Sequence, residues 1–247
     1  DRIGSQFLTH YPHNLETAKA ITRQETHTDA TVQQAIHVPE LARDILEQIG
    51  FEARKSEYVD SKSGVSARMS ITAFENLMSA AERRMLMAGE QNTCIRMSDF
   101  LGTIPAINGK VELVYEGEQE GAQVVAENLI KKAIKTLFPT YFPVIKKLEK
   151  QEDESPYDDI VSWFFNADGD FELLDEYTDT AYKKELNKIK PLDDFLEKYQ
   201  PKMNKKDSYF VKEFVLWALV EFKKLSKHRY AEGTQFKDPY GSFMSSL

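Results

Sequence analysis

Residues 63–88 read SGVSARMSITAFENLMSAAERRMLMA, and the spacing of their apolar side chains decides the fold class. Ile71, Phe74, Met78, Ala81 and Met85 recur at intervals of three, four, three and four, the period of a helix with one apolar stripe. The spacing predicts a long amphipathic helix over about residues 67–88, with Met69, Met78, Met85 and Met87 read as core filler. A glycine and a run of small residues stand just before it, which places Arg68 in the first turn. The helix dipole is already positive there, so a cation is disfavoured. Either Arg68 is a tolerated surface residue, or an anion meets it.

Working outward, Asn14 is placed to cap a helix with Leu15, Ala18, Ile21 and Thr22 on one face. Pro39 opens the next, where Leu41, Ile45 and Ile49 recur and Gly50 stands as the stop. The polar stretch 51–64 reads as a partly helical connector, and Ser98 is placed to cap a short helix from Asp99 to Ile107 that ends at Asn108-Gly109. These four helices make a small bundle. Before them, QFLTHYP (6–12) reads as a strand leaving a sheet; after them, Val111, Leu113 and Tyr115 alternate as a short strand or extended connector. A helix is expected over residues 123–138, its apolar side opposed by Lys131, Lys132 and Lys135, with Pro139 and Pro143 breaking it. Residues 146–155 read as an exposed loop, and Ser155-Pro156 followed by Asp158 and Asp159 as a helix start leading into Ile160, Trp163 and Phe164. The last helix, about 208–227, is apolar over a face broad enough to be buried on two sides. The expected class is mainly α, with at most one or two short strands.

Among the 247 residues no apolar run reaches the ~18 residues a membrane span needs, so no membrane partner is expected. The net charge of −8 argues against a chain-wide attraction to nucleic acid. The single cysteine, Cys94, allows no internal disulfide and no cysteine-based zinc cluster, which fits a reducing, cytoplasmic compartment. The first residues show no initiator Met and no signal-peptide pattern, and the chain reads as a piece of a longer protein.

Chemical motifs are sparse. Between Gly102 and Gly109-Lys110 six residues intervene where a phosphate-binding loop has four, and Val111 stands where the magnesium-binding hydroxyl belongs. There is no HExxH, GxSxG or GxGxxG, and the five histidines have no metal-ligand spacing. NADGDFE, with Asn166, Asp168, Asp170 and Glu172, lacks the glycine and the twelfth-position acid of a calcium loop, where Tyr177 stands, and reads as a turn. Glu116, Glu118 and Glu120 form an acidic run, either solvated or open to a cation or a basic partner.

Residues 63–113, from SGVSARMS through the short SDF helix to GKVEL, resemble the lid of AAA+ ATPases of the magnesium-chelatase and MoxR-like group. The resemblance implies that Arg68 is the sensor 2 residue, which reaches from the lid to the phosphates of ATP bound on the core. That resolves the charge puzzle, because arginine and helix N-terminus together would meet a triphosphate. DRIGSQFLTHYP resembles the end of the AAA+ core, which implies that Arg2 is an arginine finger for the neighbouring subunit. The division that follows is 1–13 core remnant, 14–115 lid, and 116–247 a C-terminal helical extension. Walker A, Walker B and sensor 1 would lie before residue 1. ATP and Mg2+ are therefore expected in the parent protein, with neither tight binding nor hydrolysis by this chain and no other metal site. The resemblance further implies a hexameric ring and a partner with a von Willebrand factor A domain. Two alternatives are a self-contained helical interaction module without nucleotide chemistry, and an activator of the sigma-54 group, for which no basic recognition helix is seen.

Overall fold

The computed structural model describes residues 4–145, 155–166 and 171–238. The fold is mainly helical, as expected, with a few short strands. In chain order, α1 (Leu15–Glu25) and α2 (Ala30–Ala35) lead to β1 (Ile36–His37), α3 (Glu40–Lys55) and α4 (Arg68–Met87). Then come β2 (Thr93–Cys94), a 3-10 turn (Met97–Thr103), α5 (Ile104–Asn108), α6 (Tyr115–Glu120) and α7 (Ala122–Tyr141). The second half comprises α8 (Asp158–Asn166), β3 (Phe171–Leu174), α9 (Asp179–Leu186), α10 (Lys190–Tyr199), α11 (Ser208–Glu221), β4 (Ser226–Tyr230) and β5 (Gly233–Lys237).

The local signals explain most of these elements. Asn14 caps α1, its side-chain oxygen accepting the Thr17 N–H at 2.8 Å. The stripe on α4 is buried at Met69, Phe74, Met78, Ala81 and Met85, whereas Met87, read as core filler, is 70% exposed because it falls off that face. Gly50 does not stop α3, which runs on to Lys55. A Cβ at position 50 would meet Met69 Cε at 3.4 Å and Ser70 Oγ at 3.5 Å, so the glycine lets α3 approach α4 closely. Nor does Pro139 end α7, which continues to Tyr141 with the Phe142 N–H on the Phe138 carbonyl at 3.0 Å. Burial of Leu137 and Phe138 outweighs the one hydrogen bond that the proline removes.

The core is built on α3, which packs between α4 and α7, with Ala42, Ile45, Leu46, Ile49 and Ala53 at most 1% exposed. α1 is fixed to α3 by Lys19, whose Nζ contacts Glu40 at 2.8 Å and Asp44 at 2.7 Å. Burial alone would depress the Lys19 ammonium, but the hydrogen bonds it donates to Asp44, Glu16 and Glu40 hold it above its usual range. α11, expected to be buried on two sides, is buried from Phe210 to Leu219 without interruption, with Lys212 and Glu213 included. Its Phe214 meets Phe138 of α7, a hub with ring centroids 5.3–5.8 Å from Phe142, Tyr157, Phe214 and Phe222. One apolar cluster takes in buried residues on both sides of positions 115 and 116, which open α6.

Three features depart from the sequence reading. Residues 6–12 form no strand, and Phe7 and Leu8 are 85% and 95% exposed. The helix expected over Asp99 to Ile107 is a 3-10 turn followed by α5, and it is not Ser98 that caps it. Asp99 does so instead, its Oδ2 accepting the Arg96 N–H at 2.8 Å. The final helix stops at Glu221 and gives way to a three-stranded antiparallel sheet in the order β3-β5-β4. The helix ends because Lys223 takes φ +61°, which turns the Lys224 N–H onto the Leu219 carbonyl at 2.8 Å. The loop expected at 146–155 lies outside the described residues except for Ser155, whose N–H donates to Asp158 Oδ2 at 2.8 Å ahead of α8.

Candidate functional site at the start of α4

The turn before α4 is assembled by short-range hydrogen bonds. Asp60 Oδ1 accepts the Lys62 N–H at 2.8 Å and Oδ2 accepts the Ser63 hydroxyl at 3.0 Å, which also hold the Asp60 carboxyl below its usual range. The chain then reverses at Gly64, whose φ of +75° belongs to the left-handed region. Val65 drops into the core and pairs across an antiparallel bridge with Val111, while Val59 pairs with Leu113. The Ser66 N–H on the Lys110 carbonyl at 3.2 Å and the Asp60 N–H on the Glu112 carbonyl at 2.9 Å complete the attachment. The turn is thereby fixed to the segment that leads into α6.

Arg68 is the first residue of α4 and is exposed. Its backbone N–H reaches Ser66 Oγ at 3.3 Å, and its side chain forms no hydrogen bond or ion pair among the described residues. Ala67 offers no capping side chain and the first turn carries no acid, so the positive end of a 20-residue helix and a guanidinium stand together without a counter-charge. Beside them opens a cavity of about 900 Å3 between the N-terminal segment and the turn, lined by Ala67 but not Arg68, with His10, Ser66, Asn108, Lys110 and the acid Glu112 also among its lining. Tyr11 closes one side. The Arg54 guanidinium lies 4.5 Å from its ring centroid, and a Cβ on Gly64 would stand 2.7 Å from its hydroxyl.

A second cluster, which sequence reasoning missed, ties α4 to the C-terminal half. Arg84 Nε and Nη2 donate to Asp99 Oδ1 and Oδ2 at 3.0 and 2.8 Å, and Nη1 donates to Thr93 Oγ1 at 2.9 Å. Arg96 Nη2 donates to the Tyr177 carbonyl at 2.8 Å and its guanidinium stacks 4.2 Å from the Tyr182 centroid. Glu213 of α11 accepts the Met97 N–H at 2.9 Å and the Tyr182 hydroxyl at 2.7 Å. Burial raises the Glu213 carboxyl above its usual range, and burial, then the Glu213 charge, raises Tyr182 well above its own. The only signals in the sequence were Arg84 next to the apolar stripe of α4 and a lone acid inside FVKEFVLW. This bonding links the far end of α4 to α9 and α11 through the 3-10 turn.

Other sequence candidates have plainer surroundings. Arg2, Asp168 and Asp170 lie outside the described residues, while Glu172 pairs with Gln235 across the sheet at 3.0 Å. Glu116, Glu118 and Glu120 are exposed on α6. Burial, then the charges of Asp207 and Asp179, raises the Cys94 thiol to about 12, which favours its protonated form at neutral pH. His37, its register partner, is bound to Asp207 at 2.5 Å. Among the described residues no three His, Cys, Asp or Glu side chains gather to hold a metal, and no helix is long and apolar enough to cross a membrane. Compared with known proteins, the chain matches no family model, no curated protein and no solved structure.

Proposed function

We propose that this chain is the lid and C-terminal region of a magnesium-chelatase-like or MoxR-like AAA+ ATPase, which couples ATP binding and hydrolysis to remodelling of a partner protein. The observation that carries the reading is Arg68, whose exposed side chain has no partner among the described residues at the positive end of α4. Two positive groups left side by side fit an anion of high charge density, and a triphosphate has enough charge to satisfy both. On this reading the nucleotide and its Mg2+ sit on an upstream core, Arg68 is the sensor 2 contact and Arg2 reaches the neighbouring subunit of a hexameric ring. A partner with a von Willebrand factor A domain receives the motion.

Hydrolysis removes the γ-phosphate and with it the contact to Arg68, which shifts the lid between two positions. The Arg84–Asp99 pair and Glu213 would then carry that shift from α4 to α9 and α11. Steady-state hydrolysis tests the proposal. The chain alone should turn over no ATP, whereas a longer form with the core restored should hydrolyse it and lose about 10²-fold or more in kcat on Arg68→Ala. Turnover by the chain alone, abolished by Arg68→Ala, would show that the catalytic parts lie elsewhere. The continuous core also suits a self-contained helical interaction module. A restored form without nucleotide-binding loops would favour that reading.

A further inference from the structure

Lysines outnumber acids along α7 and after α11 of this acidic chain, and among the described residues they close no ion pair. Lys131, Lys132 and Lys135 lie along the outer side of α7, Lys223 and Lys224 follow α11, and Lys227 stands in β4. Three of them, Lys131, Lys135 and Lys227, are neighbours in space around the Glu221 carboxyl. Lys135 Nζ is 5.6 Å from the Phe222 centroid, Lys227 Nζ stacks 3.3 Å over the Trp217 ring, and Lys131, Lys135 and Lys227 all act on the Glu221 carboxyl. Buried lysines elsewhere are matched with acids, Lys19 with Asp44 at 2.7 Å and Lys212 with Asp193 at 2.6 Å. Among the described residues none of these six forms an ion pair, and Lys131 has only Asn128 Oδ1 at 3.4 Å. The negative end of the α11 dipole accounts for Lys223 and Lys224. It does not reach Lys131 and Lys135 in the middle of α7, where Glu221 is the shared acid, nor Lys227, which burial holds down to about 8 against the pull of Glu221, Glu213 and Glu127.

We propose that this lysine face docks a short acidic peptide segment of a partner protein. Lys131 and Lys135 are about 6 Å apart along α7, so the face spans only a few residues of extended peptide. Screening limits its reach to about 8 Å at physiological salt. A run of four to six Asp or Glu side chains stays within that range, whereas a nucleic acid long enough to bind tightly would extend over a surface whose net charge is −8. The inference is independent of the nucleotide reading, because none of the six lysines lines the cavity beside Arg68.

Fluorescence anisotropy with a labelled peptide of six glutamates and the whole chain, at about 50 and about 200 mM salt, tests it. Binding should be seen at the lower salt and weaken at the higher. The double variant K131Q/K135Q should weaken it about tenfold or more, while K62Q/K202Q, which neutralises two exposed lysines outside the face, leaves it within about twofold. Far-UV circular dichroism establishes that both variants are folded. Absence of binding at low salt, equal loss in both variants, or tighter binding of a twelve-nucleotide single strand than of the peptide would each overturn the proposal.

Discussion

Replacing Gly64 with alanine should disturb the turn that carries Arg68 in two separable ways. The first is backbone strain: φ is +75°, and a left-handed conformation costs a residue with a Cβ about 1–2 kcal/mol. A stiffer unfolded chain returns about 0.4–1 kcal/mol of that, which leaves about 1 kcal/mol. The second is contact. The new methyl carbon would stand 2.7 Å from the Tyr11 hydroxyl, so the ring must leave its place over Arg54 and forfeit about 0.5–1 kcal/mol. Gly64→Ala should therefore destabilise by about 2 kcal/mol. Gly89 is the built-in control, because its φ is +69° and nothing lies within 4 Å of its would-be Cβ. Gly89→Ala should cost only the backbone share, about 1 kcal/mol. In a Tyr11→Ala background the extra cost of Gly64→Ala should vanish. Urea unfolding followed by tryptophan fluorescence, with m unchanged, measures all four forms. If Gly64→Ala costs no more than Gly89→Ala, or keeps its full cost without the Tyr11 ring, Tyr11 does not brace the turn.

Three further perturbations test other parts of the structure. Lys223→Gly removes a Cβ from a residue at φ +61° and should raise the urea midpoint, with a stabilisation of about 0.5–1 kcal/mol. Asp99→Ala strands the buried Arg84 guanidinium and frees the Arg96 N–H, so calorimetry should show a loss of about 3–5 kcal/mol, with Asp99→Asn milder. Lys227 changes the pH dependence. Its folded pKa of about 8 lies below its ordinary 10.5, so between those values the unfolded chain binds the proton more strongly and stability from this group rises with pH. Lys227→Met should stabilise the protein at pH 7 by about 1–2 kcal/mol after allowance for partial exposure, and the advantage should shrink towards pH 10.5. A difference between variant and wild type that stays constant over that window would contradict the assigned burial.

The helices were legible where one local cause dominates. Asn14, the α4 stripe and the apolar run of α11 each act through neighbours in sequence, and each gave the observed element. Gly50 and Pro139 misled because their local tendency to end a helix lost to tertiary contacts, Gly50 against Met69 and Ser70 and Pro139 beside the buried Phe138. The sheet was missed for a related reason. Phe222 and Leu225 continue the helical period of α11 past its true end, while the alternation that marks β3 and β5, with Phe171, Leu173, Thr234 and Phe236 buried, spans only four or five residues. Gly233 carried a further hint, because a Cβ there would meet the Leu173 carbonyl at 2.6 Å. At the candidate site, the place of Arg68 in the first turn was readable. The anchors of that turn were not, because Asp60, Val65, Ser66 and Tyr11 meet Glu112, Val111, Lys110 and Arg54 only after the chain has folded back.

The most direct test of the central claim compares ATP with ADP in a longer form of the protein that carries the nucleotide-binding core and is arrested before hydrolysis. If Arg68 meets the γ-phosphate, Arg68→Ala should weaken ATP by about 10- to 100-fold, the worth of a charge-assisted contact, and leave ADP nearly unchanged. Equal affinities of variant and wild type for ATP, or an equal loss for ATP and ADP, would contradict the account.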